Sequence, residues 1–190
     1  MRDLPEGYFL SLGEVGDIPA LIAVDKAASA LFAPTGLVES EALDDHVPAE
    51  IFEQAMAVGD VVAAYNRHGW PVGFAIFSVR GNGLYLDQVS VHPDHGKQGL
   101  GRILVYAVIA EAEARRLSHV SLSTFRDLRW NGPFYASMGF VEMDRSDMEP
   151  YMLEIEDAQR GHMDVSARCF MRRKVRGSLM RLVMPWRTSS

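Results

Sequence analysis

The stretch VSVHPDHGKQGLGRILVYAVIAEAEARR, Val89 to Arg116, decides the fold, and the part that needs explaining is its centre, HPDHGKQGLGR, His92 to Arg102. Three glycines, Lys97, Gln98 and Arg102 fall between LYLDQVSV, which reads as a strand, and a run that changes period. In that run Ile103, Ala107, Ala110 and Ala114 recur at helical spacing, with Glu111, Glu113, Arg115 and Arg116 on other faces. Backbone that turns through glycine into a helix exposes N–H groups where the helix dipole also favours negative charge. The junction therefore reads as an anion site.

Glycine-rich loops are individually weak signals, so spacing has to discriminate between them. A phosphate loop of the nucleotide hydrolases needs Lys and Ser or Thr after its second glycine; Gly96 and Gly101 have the separation, but Arg102 and Ile103 follow. A dinucleotide fingerprint runs Gly-x-Gly-x-x-Gly, and Gly96, Gly99 and Gly101 run in the opposite order. The pattern resembles instead the pyrophosphate loop of the GNAT superfamily of N-acetyltransferases, with Gly99-Leu100-Gly101 as its two glycines. VSVHPDH before the loop, the amphipathic helix after it, and NGPFYASMGF later, similar to the superfamily's Asn…Phe-Tyr…Gly-Phe signature, stand in the expected order. One departure is that the motif's first Arg/Gln position falls on Gly96.

The resemblance implies an α/β chain with the GNAT-type acyl-CoA N-acyltransferase fold, a mixed and mostly antiparallel central sheet flanked by helices. It implies acetyl-CoA as co-substrate, held by the loop residues Lys97, Gln98, Gly99, Leu100, Gly101 and Arg102. The backbone of Val89, Ser90 and Val91 is expected to pair with pantetheine like an added strand, and Asn131 and Phe134 to border the coenzyme. Asn131 has a second reading as a helix N-cap. Tyr135 matches the superfamily tyrosine that protonates the leaving thiolate, its other reading being a core aromatic. Many relatives carry a glutamate on the strand that here has Gln88, with Ser123 on the next strand; Asp87 is the nearest carboxylate in sequence. Strict alternation would send only one of Asp87 and Gln88 into a cleft, so the base is Asp87 or a water chain. His92 and His95 read as turn or phosphate-edge residues.

The remaining chain reads in agreement with this order. Tyr8 to Leu12 is a first strand, and Asp17-Ile18-Pro19 opens a helix to about Phe32 with Leu21, Val24, Ala28 and Leu31 on one side. A second helix runs from Pro48 to about Val58. VVAAY, VGFAIFSV and LYLDQVSV form a meander joined at His68-Gly69 and Gly81-Asn82-Gly83. After the crossover helix come the strand HVSLS, a short helix to Met138, a strand Gly139 to Met143, a helix Tyr151 to Gln159 and a strand Ser166 to Val175. Residues 1–175 are expected to form one domain, with 176–190 as a basic and apolar tail that packs on its own domain, on a second copy as in a homodimer, or nowhere.

With 190 residues and 48 % hydrophobic content, the chain can bury a sizeable core. No apolar run approaches the roughly 18–20 residues of a membrane span. MRDLPEGYF has no signal-peptide character, so the expected location is cytoplasmic, without a membrane partner. Its single cysteine, Cys169, lies in the apolar alternation ARCFM and reads as a buried thiol, and no metal spacing is present.

The net charge of −6 is unevenly spread. Between Lys26 and Arg67 there are no cations but Glu39, Glu41, Asp44, Asp45, Glu50, Glu53 and Asp60. The resemblance implies that the connection Gly36 to Pro48, with Glu39, Glu41, Asp44 and Asp45, lies over the acceptor end of the cleft, where carboxylates concentrate cations, so the expected acceptor is a cationic small-molecule or peptide amine. The basic C-terminal end, Arg168 to Arg187, argues little for a nucleic-acid partner, because Arg172 to Lys174 are interleaved with a strand pattern, aromatics there are few and the chain is acidic. The rival class is a non-catalytic acyl-CoA binding or sensing module, which the missing loop Arg/Gln and the absent glutamate would suit.

Overall fold

Proline and glycine positions set the first boundaries. The computed structural model describes residues 4–175, so the tail expected at 176–190 lies outside the described residues. Strand β1 (Tyr8–Leu12) leads into helix α1 (Ile18–Ser29), whose first turn accepts Pro19 because the missing N–H has no intrahelical acceptor there. The expected helix to Phe32 ends early. From Ala30 to Thr35 the chain tightens into 3₁₀ turns that include Pro34, and Gly36 closes them at φ 64°. Helix α2 (Ala49–Ala57) follows Pro48.

The meander forms as β2 (Val61–Asn66), β3 (Pro71–Arg80) and β4 (Gly83–Val91), and the crossover as α3 (Leu100–Ala114) and β5 (His119–Phe125). A short α4 (Gly132–Ala136) precedes β6, which spans only Val141–Glu142 instead of the expected Gly139 to Met143. Gly139 at φ 86° is taken up in the turn out of α4, which delays the strand. Helix α5 (Pro150–Gln159) and β7 (Arg168–Lys174) complete the described chain.

Seven strands form one sheet in the order β1-β2-β3-β4-β5-β7-β6, antiparallel except for β4 against β5. On one face Leu84, Leu86, Val120 and Leu122 pack with Leu100, Leu104 and Val108 of α3. On the other, Phe74 and Ile76 meet Leu21 and Val24 of α1 and Phe52 of α2, while Tyr85 and Phe170 meet Met152 of α5. The mixed, mostly antiparallel sheet flanked by helices is the expected architecture. No helix among the described residues is long and apolar enough to cross a membrane.

Strand β4 departs from regular pairing on both of its edges. Its parallel pairing with β5 covers only Gly83↔His119, Leu84↔Val120 and Tyr85↔Ser121. Its pairing with β3 jumps from Phe77↔Leu86 to Ile76↔Gln88, which leaves Asp87 as an extra, bulged residue.

Helix α4 is fixed by one close approach. A Cβ at Gly132 would lie 2.1 Å from the Arg126 carbonyl oxygen, a backbone atom that cannot swing aside. Gly132→Ala is expected to lower stability by about 1–3 kcal/mol, as overpacking does. Urea melts of the two proteins check this, a shift within error being the failing outcome.

Candidate active site

Where β4 and β5 part, the backbone of Leu86 to Val91 keeps β3 on one side and has no strand on the other. The gap is the mouth of a cavity of about 870 Å³, walled by Leu86–Val91 of β4, Leu122–Phe125 of β5, the loop before α3, and Asn131, Phe134 and Tyr135 around α4. Val89, Ser90 and Val91 thus present a strand edge to the cavity. A peptide-like chain can add to such an edge.

The loop owes its shape to two left-handed residues, Lys97 at φ 60° and Gly99 at φ 88°. The second is unstrained because glycine has no Cβ, and successive turns of this kind aim N–H groups into one concavity. Ile103 is the first residue of the helix whose N–H finds an acceptor, the Gly99 carbonyl at 3.1 Å; among the described residues the N–H groups of Lys97 to Arg102 have no backbone acceptor. Gly96, Lys97, Gly99, Leu100, Gly101 and Arg102 all line the cavity. Gln98 lies between the two left-handed residues, with an exposed side chain outside the wall. Arg102 stands 5.4 Å from the Phe134 ring centroid and donates to Ser137 Oγ at 2.7 Å. His92 Nδ1 accepts from the Asp94 N–H at 3.3 Å, a turn role, while His95 lines the cavity and meets the Tyr8 hydroxyl at 2.8 Å.

The bulge overturns the expectation that Asp87 and Gln88 point opposite ways. With Asp87 as the extra residue both line the cavity. Asp87 is exposed, but the surrounding protein desolvates its carboxyl and pushes it up to about 6, against the lowering effect of Ser78 and Arg80. Gln88 faces a carboxylate not singled out from the sequence, Asp25 on α1, which is 2 % exposed. Asp25 Oδ1 accepts from Gln88 Nε2 and from Ser90 Oγ, both at 2.7 Å, and Oδ2 accepts from the Val47 N–H at 2.9 Å. A carboxylate beside Leu21 and Val24 on the buried face of α1 was the available signal.

Tyr135 is 8 % exposed, packs on Phe134 and Phe140, and lines the cavity. Burial pushes its phenol well above the ordinary range, so it keeps its proton at neutral pH. Asn131 precedes α4 but its side chain makes no capping bond, and it too lines the cavity.

A family model for the acetyltransferase (GNAT) family matches residues 29–140, more than half the chain and the whole span from the end of α1 to α4. The chain belongs to the GNAT acetyltransferase family. It is thus an acyltransferase, not the binding module considered as its rival. Its fold is similar to the PaiA N-acetyltransferase of Thermoplasma acidophilum in complex with coenzyme A, at 15 % identity and TM-score 0.68 over 88 % of this chain and 98 % of that one. It also resembles the ribosomal-protein-S18-alanine N-acetyltransferase of Escherichia coli, at 20 % identity and TM-score 0.62 over 93 % and 99 %. The N-acetylglutamate synthase of Neisseria gonorrhoeae, complexed with coenzyme A and N-acetyl-glutamate, matches at 15 % identity and TM-score 0.67 over 89 % of this chain and 35 % of that one.

The other end of the GNAT cavity differs from expectation. None of Glu39, Glu41, Asp44 and Asp45 lines it. Their segment is instead laid against the chain after α5, through a Val38↔Met163 bridge, the Glu39 N–H on the His162 carbonyl at 3.1 Å and the Asp164 N–H on the Leu37 carbonyl at 3.0 Å. The wall there consists of Ala28, Ser29, Leu31 and Phe32, with Phe125, Trp130 and Arg168. Arg126 braces Glu142 at 3.0 Å, and neither it nor Asp127 is in the wall. Cys169 is a free, buried thiol whose pKa burial raises to about 11.

Ionising Asp87 is harder in the folded protein than in the unfolded chain, so stability falls as pH rises from about 3.8 to about 6. Asp87→Asn is accordingly expected to melt with wild type at pH 3.5 and above it at pH 7.5. Equal melting temperatures at both pH values would mean that Asp87 is an ordinary surface carboxylate.

Proposed function

We propose that the protein transfers the acetyl group of acetyl-CoA to a primary amine by direct attack within a ternary complex. The observation that carries this reading is that the open β4 edge, the Lys97–Arg102 loop, Asp87 and Tyr135 all border one cavity. The diphosphate of the coenzyme would take N–H donors of the loop and first turn of α3, with Lys97 and Arg102 adding charge. Pantetheine would lie along Val89–Val91, with Asn131 and Phe134 beside it, bringing the thioester to the gap between β4 and β5.

The chemistry needs a neutral amine, a donor for the tetrahedral oxyanion and a proton for the thiolate. The amine nitrogen forms its bond to the carbonyl carbon while the Val91 N–H, or a neighbour on that edge, holds the oxygen. As the intermediate collapses, the carbon–sulfur bond breaks and Tyr135 gives its proton to sulfur. The proton lost by the amine passes to Asp87, directly or through water. A carboxyl near 6 suits that task, since it is ionised at neutral pH yet far more basic than an ordinary aspartate.

Three variants test separate parts of this reading. Gly101 has only ordinary contacts around a built Cβ, 3.8 Å from Phe134 and from Val91, so Gly101→Glu should stay folded. Placed where the diphosphate must approach, that side chain should raise the Kd for acetyl-CoA in calorimetry; unchanged affinity removes the loop assignment. Tyr135→Phe should lower kcat by about 10²–10⁴-fold with little change in the KM for acetyl-CoA, and wild-type turnover would return Tyr135 to a packing role. The acidic limb of kcat/KM near pH 6 should vanish in Asp87→Asn; an unaltered limb would assign the base elsewhere.

A further inference from the structure

Arg168 takes no part in that transfer. It opens β7 opposite Phe125, and its side chain lines the cavity. Nε and Nη2 both donate to one acceptor, Ser123 Oγ, at 3.2 and 3.0 Å, and Cζ lies 4.8 Å from the Phe125 ring centroid. No carboxylate reaches it among the described residues, whereas Arg126 pairs with Glu142 and Arg172, on the same strand, with Glu149. A guanidinium has five donors in a planar fork. One hydroxyl and one ring face leave donors free, and a largely buried cation without an anion is costly unless something supplies one.

The rest of the acceptor end limits what that something is. Among the described residues Asp87 is the only carboxylate in the wall, and it stands on β4, across the gap from β7. Leu31, Phe32, Phe125 and Trp130 make the wall between α1 and β5 apolar; the Phe32 ring is 5.6 Å from Phe125 and 6.4 Å from Trp130. Away from the loop cations Lys97 and Arg102, the wall thus offers Asp87, Arg168 and an aromatic side, in place of the acidic field expected from Glu39 to Asp45.

We propose that Arg168 binds a carboxylate of the acceptor, so that the enzyme's substrates are amino acids or like amines that carry both an amino and a carboxylate group on an apolar body. This rests on the acetyl-transfer reading and deepens it. The amine faces Asp87, the carboxylate takes the free edge of the Arg168 fork, and the apolar body lies among Phe32, Phe125 and Trp130. Arg168 is a specificity determinant that leaves the reacting atoms untouched. A polyamine would set a second cation against it with nothing to pair.

The test uses binding as well as turnover. N-acetyl derivatives of alanine, leucine and phenylalanine, each as free acid and as primary amide, are titrated by calorimetry into the wild-type protein saturated with coenzyme A, and into Arg168→Met and Arg168→Lys. For at least one pair the wild type should bind the acid roughly 10- to 100-fold tighter than the amide, the loss expected of a charge-assisted bond. Arg168→Met should abolish the difference and Arg168→Lys recover part of it, with acetyl-CoA affinity unchanged in both. If Arg168→Met does not fold, the acid–amide comparison in wild type and Arg168→Lys decides alone. No discrimination in any pair overturns the proposal, as does tighter binding of spermidine than of every acid. A preference for succinyl-CoA over acetyl-CoA that depends on Arg168 also overturns it, by assigning the fork to the acyl chain. Acid-selective binding without turnover of any amine would sink the transfer reading and leave Arg168 only as a carboxylate-binding site.

Discussion

The short parallel contact between β4 and β5 is the constraint on which the site depends. Two strands that pair at only three positions and then separate leave one edge of β4 without a sheet partner. Backbone N–H and C=O groups inside a protein have to meet water or a partner, so the edge creates both the cavity and its need for a strand-like occupant. The crossover helix completes the arrangement. Because α3 leaves the end of β4 through a left-handed turn at Gly99, its open N–H groups stand at one end of the same strand edge. A diphosphate site and a strand-pairing site are therefore collinear for topological reasons, before any side chain is considered.

Asp25 holds the opposite wall of that edge in register. It ties α1 to Gln88 and Ser90 of β4 and, through the Val47 N–H, to the connection between α1 and α2. Such a carboxylate is tolerable in the interior because its oxygens are shared among three donors. The same contact explains a glutamine rather than a glutamate at position 88. A second carboxylate 2.7 Å from Asp25 would have no donor to offer it and would repel it instead. With position 88 committed to structure, the bulge brings the neighbouring Asp87 into the cavity, and the proposed base is displaced by one residue along the strand.

Local pattern accounts for what was legible in the sequence. The period change after Gly101, the turn signals around the meander and Pro19 mark the elements to within a few residues, because these depend on neighbours along the chain. The bulge at Asp87 was not legible: strict alternation assigns one of two adjacent residues to each face, and only pairing with Phe77 and Ile76 reveals the extra residue. Arg168 and Ser123 are separated by 45 residues, so the sequence shows a basic strand where the fold makes a cavity wall. The acidic interval misled for the related reason that charge along a chain carries no direction. Its backbone is held by Leu37, Val38 and Glu39 against residues 162–164, and Glu39, Glu41, Asp44 and Asp45 are not in the cavity wall.

The two charges left in the acceptor end share one physical logic. Asp87 is held at a protonation equilibrium that disfavours its ionised form, and Arg168 is held cationic in a site that desolvates it. Had the fold brought them into contact, each would have relieved the other, and the carboxylate would have become a weaker base with a pKa below its ordinary value. No ion pair forms between them, with β4 and β7 on opposite sides of the splayed gap. Arg168 therefore lacks an anion, while Asp87 stays hard to ionise despite Ser78 and Arg80, so a substrate bearing an amine at one end and a carboxylate at the other meets both groups together. Selectivity then follows from Arg168, because a ligand with a second amine in place of the carboxylate leaves that guanidinium without an anion and sets a like charge beside it.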